Sequence, residues 1–240
     1  QVVIHGKKRV VGIVGTNPPH LTSAEETKQV PELDDLAIDT GYTKEELEEL
    51  VSPGDRVTYE GDFAEMQNGR VSSKSLDDRA GVAAILCALE ELKGKELPCN
   101  IAAVFSVQEE VGGMGAETAA FRIRPDEAIA VDVSFAKTAD LGETQYPDMG
   151  TGAMVGISPV LNRGMFDELM SLAAEKGIPH TIEAMGGRTS TNADAVSAAA
   201  GGVRTGLLSI PMKYMHTPVE MVQISDVEAV GKLIAAYILR

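Results

Sequence analysis

Four stretches of this sequence place acids, or an imidazole, next to apolar runs. Gln108-Glu109-Glu110 ends the apolar run 100–107 and leads into Val111-Gly112-Gly113, while Asp132 closes the run 128–131. His216 follows the run 205–210 across Pro211-Met212-Lys213-Tyr214-Met215, and Asp77-Asp78 opens a segment with a helical apolar face. In open α/β sheets, ligands collect beyond the carboxyl ends of the strands, so these stretches are candidates for one site. Carboxylates gathered there repel one another unless a cation neutralises them. A divalent metal, or a pair sharing one bridging carboxylate, is the economical chemistry. A metal-activated water with an unligated acid beside it, able to take its proton, makes a hydrolytic centre. Taken singly, each piece has a plainer reading. Glu109-Glu110 could be a solvated strand end, and Asp132 an ordinary strand-end acid. Asp77-Asp78 could be a helix cap with a first-turn acid, and His216 a loop histidine. It is the conjunction that points to chemistry.

The elements that must hold these residues can be read from periodicity. From Ser75 onward, strands and helices alternate. The spacing predicts helices at 79–93, 115–121, 165–176 (stopped by Gly177), 192–200 and 226–240, the last capped by Ser225 or Asp226. It predicts buried strands at 100–107, 128–133, 153–157, 180–184 and 205–210, the last ended by Pro211. That alternation implies an α/β fold, a mostly parallel sheet with helices on both faces. The first 72 residues differ. Val2–Ile4 and Val10–Val14 flank Gly6-Lys7-Lys8 as a hairpin, and Asn17-Pro18-Pro19-His20 breaks regular structure. Residues 35–39 alternate like a short strand, Thr43-Lys44-Glu45-Glu46 has capping-box spacing, and Asn68-Gly69 marks a turn. Residues 1–72 therefore read as a small β-rich domain and 73–240 as the α/β domain.

Composition narrows the function classes. The chain has 240 residues with 21 basic and 36 acidic side chains, a net charge of −15 without any basic block, so nucleic acid and anionic membranes are poor partners. No apolar run reaches the ~18 residues of a membrane span. Aromatic residues are 4% of the chain, too few for base-stacking platforms. Cys87 and Cys99 form no CxxC pair and lie in apolar segments. They are expected to be buried, unbridged thiols of a cytoplasmic protein. Gln1 begins directly in a strand-like run without a signal-peptide pattern, and the chain is expected to continue upstream of it.

The strings SLDDRAG, VQEEVGGMGA, AVDVSFA, GGRTSTNADA and SIPMKYMHTPVE, in this order, resemble the co-catalytic metalloaminopeptidases that build tetrahedral dodecamers. That family includes glutamyl and deblocking aminopeptidases and proteins classed as endoglucanase M. Pro18-Pro19-His20 and Ile38-Asp39-Thr40-Gly41 resemble its β-rich insert, so the likeness spans essentially the whole chain. The resemblance implies a metal-dependent aminopeptidase acting on peptide N-termini with two divalent ions, zinc or cobalt, in a homo-oligomer. It implies that Asp77 bridges the ions and is joined to Asp78 by a cis peptide. Glu110 and His216 would bind one ion, Asp132 would bind the other, and Glu109 would be the general base. Arg188 and Thr191, in the glycine-rich string, would contact substrate.

One departure matters. The family's fifth ligand is a histidine in a His-x-Asp motif upstream of the insert, and none of His5, His20, His180 and His216 is followed two residues later by Asp. The N-terminal segment of the catalytic domain is therefore expected to be missing from this chain, which would hold at most one metal ion. Two other readings follow: a truncated or degenerate subunit that assembles without turning over, and a two-carboxylate glycoside hydrolase. The second leaves Asp77, Asp132 and His216 without a reason.

Overall fold

A computed structural model describes every residue except Thr16, Pro18, Ala24, Glu26, Thr27 and residues 140–145. The expected break at Pro18 thus lies outside the described residues. The chain divides into two compact units, Gln1–Asp62 and Phe63–Arg240.

The smaller unit is built on a four-stranded antiparallel sheet. Its strands are β1 (Val2–His5), β2 (Arg9–Val14), β3 (Ile38–Asp39) and β4 (Arg56–Tyr59), in the order β3-β2-β1-β4. Val2, Val3, Ile4 and Val10 are its buried apolar side chains among the described residues. The short helix α1 (Lys44–Glu48) begins at a full capping box. The Thr43 hydroxyl accepts from the Glu46 N–H, and the Glu46 carboxylate accepts from the Thr43 N–H.

The larger unit is α/β. Its elements are β5 (Ala64–Met66), β6 (Arg70–Ser73), α2 (Leu76–Leu92), α3 (Met114–Ile123), β7 (Glu127–Phe135), β8 (Ala153–Ile157), α4 (Arg163–Lys176), β9 (His180–Ala184), α5 (Asn192–Ala198), β10 (Arg204–Lys213), β11 (Glu220–Gln223) and α6 (Ile224–Ile238). The sheet runs β5-β6-β11-β10-β8-β9, with β7 also paired to β10. The parallel pairings among the described residues are β7 with β10 and β8 with β9, and the others are antiparallel. The sheet is thus mixed where strand–helix alternation implied a mostly parallel one. The reason is two hairpins, β5–β6 and β10–β11, which need only short turns and force antiparallel neighbours. The first also moves the boundary between units. Residues 72 and 73 lie inside β6, which is bonded to β11, so the division falls earlier, between Asp62 and Phe63.

Helices α2, α4 and α6 share one core with Val133, Val155, Leu208, Ile210, Met212 and Val222. A Cβ on Gly231 of α6 would lie 2.7 Å from Cys87 Cβ and 2.8 Å from the Ala84 carbonyl oxygen of α2, so these helices meet where their side chains are smallest. Helix α5 packs on β7, β10 and α3, and the buried Ala116, Ala120 and Ala193 of α3 and α5 lie outside that core.

Three expectations fail locally. Residues 100–107 form no strand and are largely exposed, Phe105 at 51% and Val107 at 67%. An apolar run becomes a strand only when a neighbour completes its ladder. Here a cleft of about 610 Å³, lined by Ile101, Val104, Phe105, Ile129 and Val131 among others, separates the run from β7. Pro211 does not end its strand, because β8 pairs at 208–209 and β11 at 212–213, which leaves Pro211 in the gap where no N–H is needed. Asp226 does not cap α6, which begins at Ile224. It is fully buried and accepts the N–H groups of Gly150 and Gly152 at 2.7 and 2.8 Å, ordering the approach to β8.

Cys87 is half-buried and Cys99, next to the unpaired run, is exposed rather than buried. Both are free. Alkylation of the unfolded, unreduced protein should therefore label two thiols by mass spectrometry, and a bridged pair would contradict the fold.

Candidate metal centre

Asp77 sits at the start of α2 with extended rather than helical dihedrals, joined to Asp78 by a cis peptide bond. Asp78 turns back on the helix, and its Oδ1 accepts the Gly81 N–H at 2.9 Å. A Cβ on Gly81 would stand 2.3 Å from the Asp78 carboxylate, so a side chain there would push that carboxylate aside. Glu109 and Glu110 lie on the turn between the unpaired run and α3. The Gly112 N–H donates to the Glu109 carbonyl, the Gly113 N–H to the carbonyls of Gln108 and Glu109, and the Gly115 N–H to the Val107 carbonyl. Asn192 at the start of α5 donates to Ser106 at 3.1 Å, tying the other side of this turn. Asp132 is buried in β7 opposite Ser209 of β10 and accepts the Val133 N–H at 2.8 Å. His216 lies on the turn between β10 and β11, with a left-handed backbone at φ 61°.

These elements bring three side chains together. His216 Nε2 is 3.1 Å from Asp77 Oδ2 and 3.5 Å from Glu110 Oε2. One ligand atom from each of Asp77, Glu110 and His216 lies within 4.8 Å of the others, a donor set able to hold one ion. Two oxygens and one imidazole nitrogen suit zinc with a position left open. Asp132 is outside this triad but within its electrostatic reach.

The acids of the cluster resist ionisation. Burial, followed by the Glu110 charge, pushes Asp77 up to about 6 despite His216. Burial first, then the carboxylates of Glu109, Asp77 and Glu110, push Asp132 up to about 7. Burial and Asp132 push Asp78 up to about 9, and burial with Glu110 and Asp77 raises Glu109. Folding without a cation therefore keeps protons that the unfolded chain gives up near its ordinary value of 3.8. Stability unaffected below that value must fall as pH rises towards the folded values, because the native state then binds more protons than the unfolded one. The metal-free chain should accordingly melt at lower temperature at about pH 7 than at about pH 5, and a divalent ion should bind with proton release and more tightly at the higher pH. Melting curves with and without chelator across this range check both. A pH-independent difference between them would remove the coupling.

The other expected site residues are arranged differently. The Thr191 hydroxyl caps α5 by accepting the Ala193 N–H at 3.1 Å and is bonded to Thr189 at 3.0 Å. Arg188 is exposed on the preceding loop. One participant escaped the sequence reading: Glu220, 3% exposed, whose Oε2 accepts the Asp77 N–H at 3.0 Å and whose Oε1 accepts the His216 N–H at 2.9 Å. A signal was present. In β11 the buried positions are Glu220 and Val222, so an acid occupies the apolar phase of a two-residue alternation.

The α/β unit thus gathers Asp77, Glu110 and His216, a group of side chains that could hold a metal ion. Residues 1–233 match the family described as M42 glutamyl aminopeptidase. The lysyl aminopeptidase of Pyrococcus furiosus is 34% identical over 231 residues, covering 94% of this chain and 65% of that protein. An aminopeptidase from the archaeon Desulfurococcus kamchatkensis superposes with a TM-score of 0.91 at 33% identity, over 100% of this chain and 68% of that one. The TET1 peptidase of Pyrococcus horikoshii, described as assembling into a tetrahedron or a large octahedral shell, gives 0.84 at 35% identity over 100% and 71%. The chain belongs to the M42 glutamyl aminopeptidase family. It spans 65% and 62% of the length of two curated relatives. Among the described residues, no helix is long and apolar enough to cross a membrane.

Proposed function

We propose that this chain carries the centre of a metal-dependent aminopeptidase that removes N-terminal residues from peptides. The observation that carries the reading is the convergence of Asp77, Glu110 and His216 in a chain of this family. In it, these residues would hold one divalent ion, Zn²⁺ or Co²⁺, and Asp77 together with Asp132 would offer ligands to a second. When bound, such an ion supplies a Lewis acid that makes water a nucleophile near neutral pH. Glu109, beside the triad and not part of it, would be the base that accepts a proton from the attacking water and returns it to the leaving amine. Its raised pKa suits a group that must both accept and give back a proton. Asp78 and Glu220 orient the acid-bearing backbone. For an acidic substrate side chain, Arg188 or Lys213 would offer the cation, whereas an aliphatic one would need only apolar lining, and Thr191 caps α5 after the Arg188 loop. The net charge of −15 favours approach of a peptide ammonium group.

Residues 1–62 serve as the β-rich insert and 63–240 as the catalytic portion. The protein works in the cytoplasm as a homo-oligomer, a dodecamer by analogy with the tetrahedral assembly of the Pyrococcus horikoshii peptidase. Chelation tests the reading directly. Hydrolysis of aminoacyl chromogenic substrates should stop on chelator treatment and return with Zn²⁺ or Co²⁺. Chelator-resistant cleavage of a β-glucan would favour the glycoside hydrolase, and metal binding without any turnover would favour an assembly subunit.

A further inference from the structure

We infer that Glu220 is the positioning residue that sets the geometry of the metal-ligand triad, an inference that rests on the metal-centre reading above. Its carboxylate is buried at the start of β11, and the hydrogen bonds recorded for it run to two backbone amides. Those amides belong to Asp77 and His216, the two residues whose side chains approach to 3.1 Å. Asp77 and His216 lie on different elements, one at the head of α2 and the other on the turn between β10 and β11. Neither backbone is held in regular structure at that point. Asp77 has ψ 109° inside a helix, and His216 has a left-handed φ of 61°. A non-glycine residue keeps a left-handed backbone such as that of His216 only where its surroundings over-determine it, and Asp77 departs from the helix it opens. Glu220 provides that constraint from a third, rigid element. β11 is bonded on one side to β6, with Glu220 opposite Ser73, and on the other to β10. One carboxylate therefore ties both ligand-bearing backbones to the same strand, one oxygen to each.

Both oxygens must be acceptors for this to work. In Glu220→Gln, one oxygen becomes an NH₂ group that confronts an N–H donor, so one of the two ties is lost at nearly constant volume. Removing an outer partner of a ligand typically weakens metal affinity by about 10–100-fold. Titration of the metal-free protein with Co²⁺, followed by calorimetry and by the visible Co²⁺ spectrum, tests the assignment. Affinity for Co²⁺ weakened by about 10–100-fold and an altered spectrum in folded Glu220→Gln would support it. Wild-type affinity and spectrum in that variant, even with a lowered melting temperature, would overturn it and leave a merely structural acid. Failure of the wild type to bind Co²⁺ would overturn the metal-centre reading and this assignment together, which separates the two failures. Should the variant not fold, amide exchange in the wild type decides. The Asp77 and His216 amides should exchange far more slowly than those of Tyr214 and Thr217, and equal rates would refute the tie.

Discussion

Glu109→Gln is expected to leave metal bound in the active protein and to lower turnover by roughly 10²–10⁴, the usual contribution of a positioned general base. The expectation rests on two adjacent glutamates with separate surroundings. Glu110 has an oxygen 3.5 Å from His216 Nε2 and joins the triad, whereas Glu109 stands outside it, with its pKa raised by burial and by Glu110 and Asp77. Gln keeps the shape and cannot take a proton. Steady-state kinetics beside metal analysis of the same preparation read both halves of the expectation. A variant that loses its metal and retains its turnover per bound ion would mean that the two glutamates exchange roles.

The second large effect is in stoichiometry: the 240-residue chain should hold no more than one tightly bound ion. One group of three donors exists among the described residues, and it includes an imidazole. A second ion would find Asp77 and Asp132 alone. In the larger unit, the other histidine is His180, whose Nδ1 is hydrogen-bonded to the Ile178 carbonyl at 2.8 Å at the head of β9. Two carboxylates without a nitrogen donor select hard cations and hold zinc or cobalt poorly. Metal analysis after dialysis, or anomalous scattering from crystals, should give zero or one ion and weak peptidase activity. Two tight ions per chain would require His5, His20 or a neighbouring subunit to supply a ligand.

What could be read from the residues was what local chemistry decides. The Thr43 capping box and the Asn68-Gly69 turn formed where their side chains demanded, because their partners lie within three residues. Asp77, Glu110 and His216 meet from the head of α2, the turn before α3 and the turn after β10, whereas Asp132, inside β7, stays outside the triad. What could not be read depended on partners far away in sequence. Residues 100–107 have the composition of a buried strand and lack the neighbour that would make them one. Asp226 reads as a helix cap, but its carboxylate is claimed by Gly150 and Gly152, a pairing no short window contains. Glu220 was hidden for the same reason, since its partners are four and 143 residues away.

Among the described residues, β7 is paired along one margin only. One side of that strand is engaged by β10 from Arg204 to Met212, while the other borders the apolar cleft, with Phe105 exposed across it. A strand margin without a paired neighbour beside exposed apolar side chains is an adhesive seam, ready to recruit any extended polypeptide that drifts near. Purified at high concentration, the 240-residue chain should clump through this seam despite the mutual repulsion of its surplus negative charge. Dilution, or a single lysine in place of Phe105, would keep it dispersed.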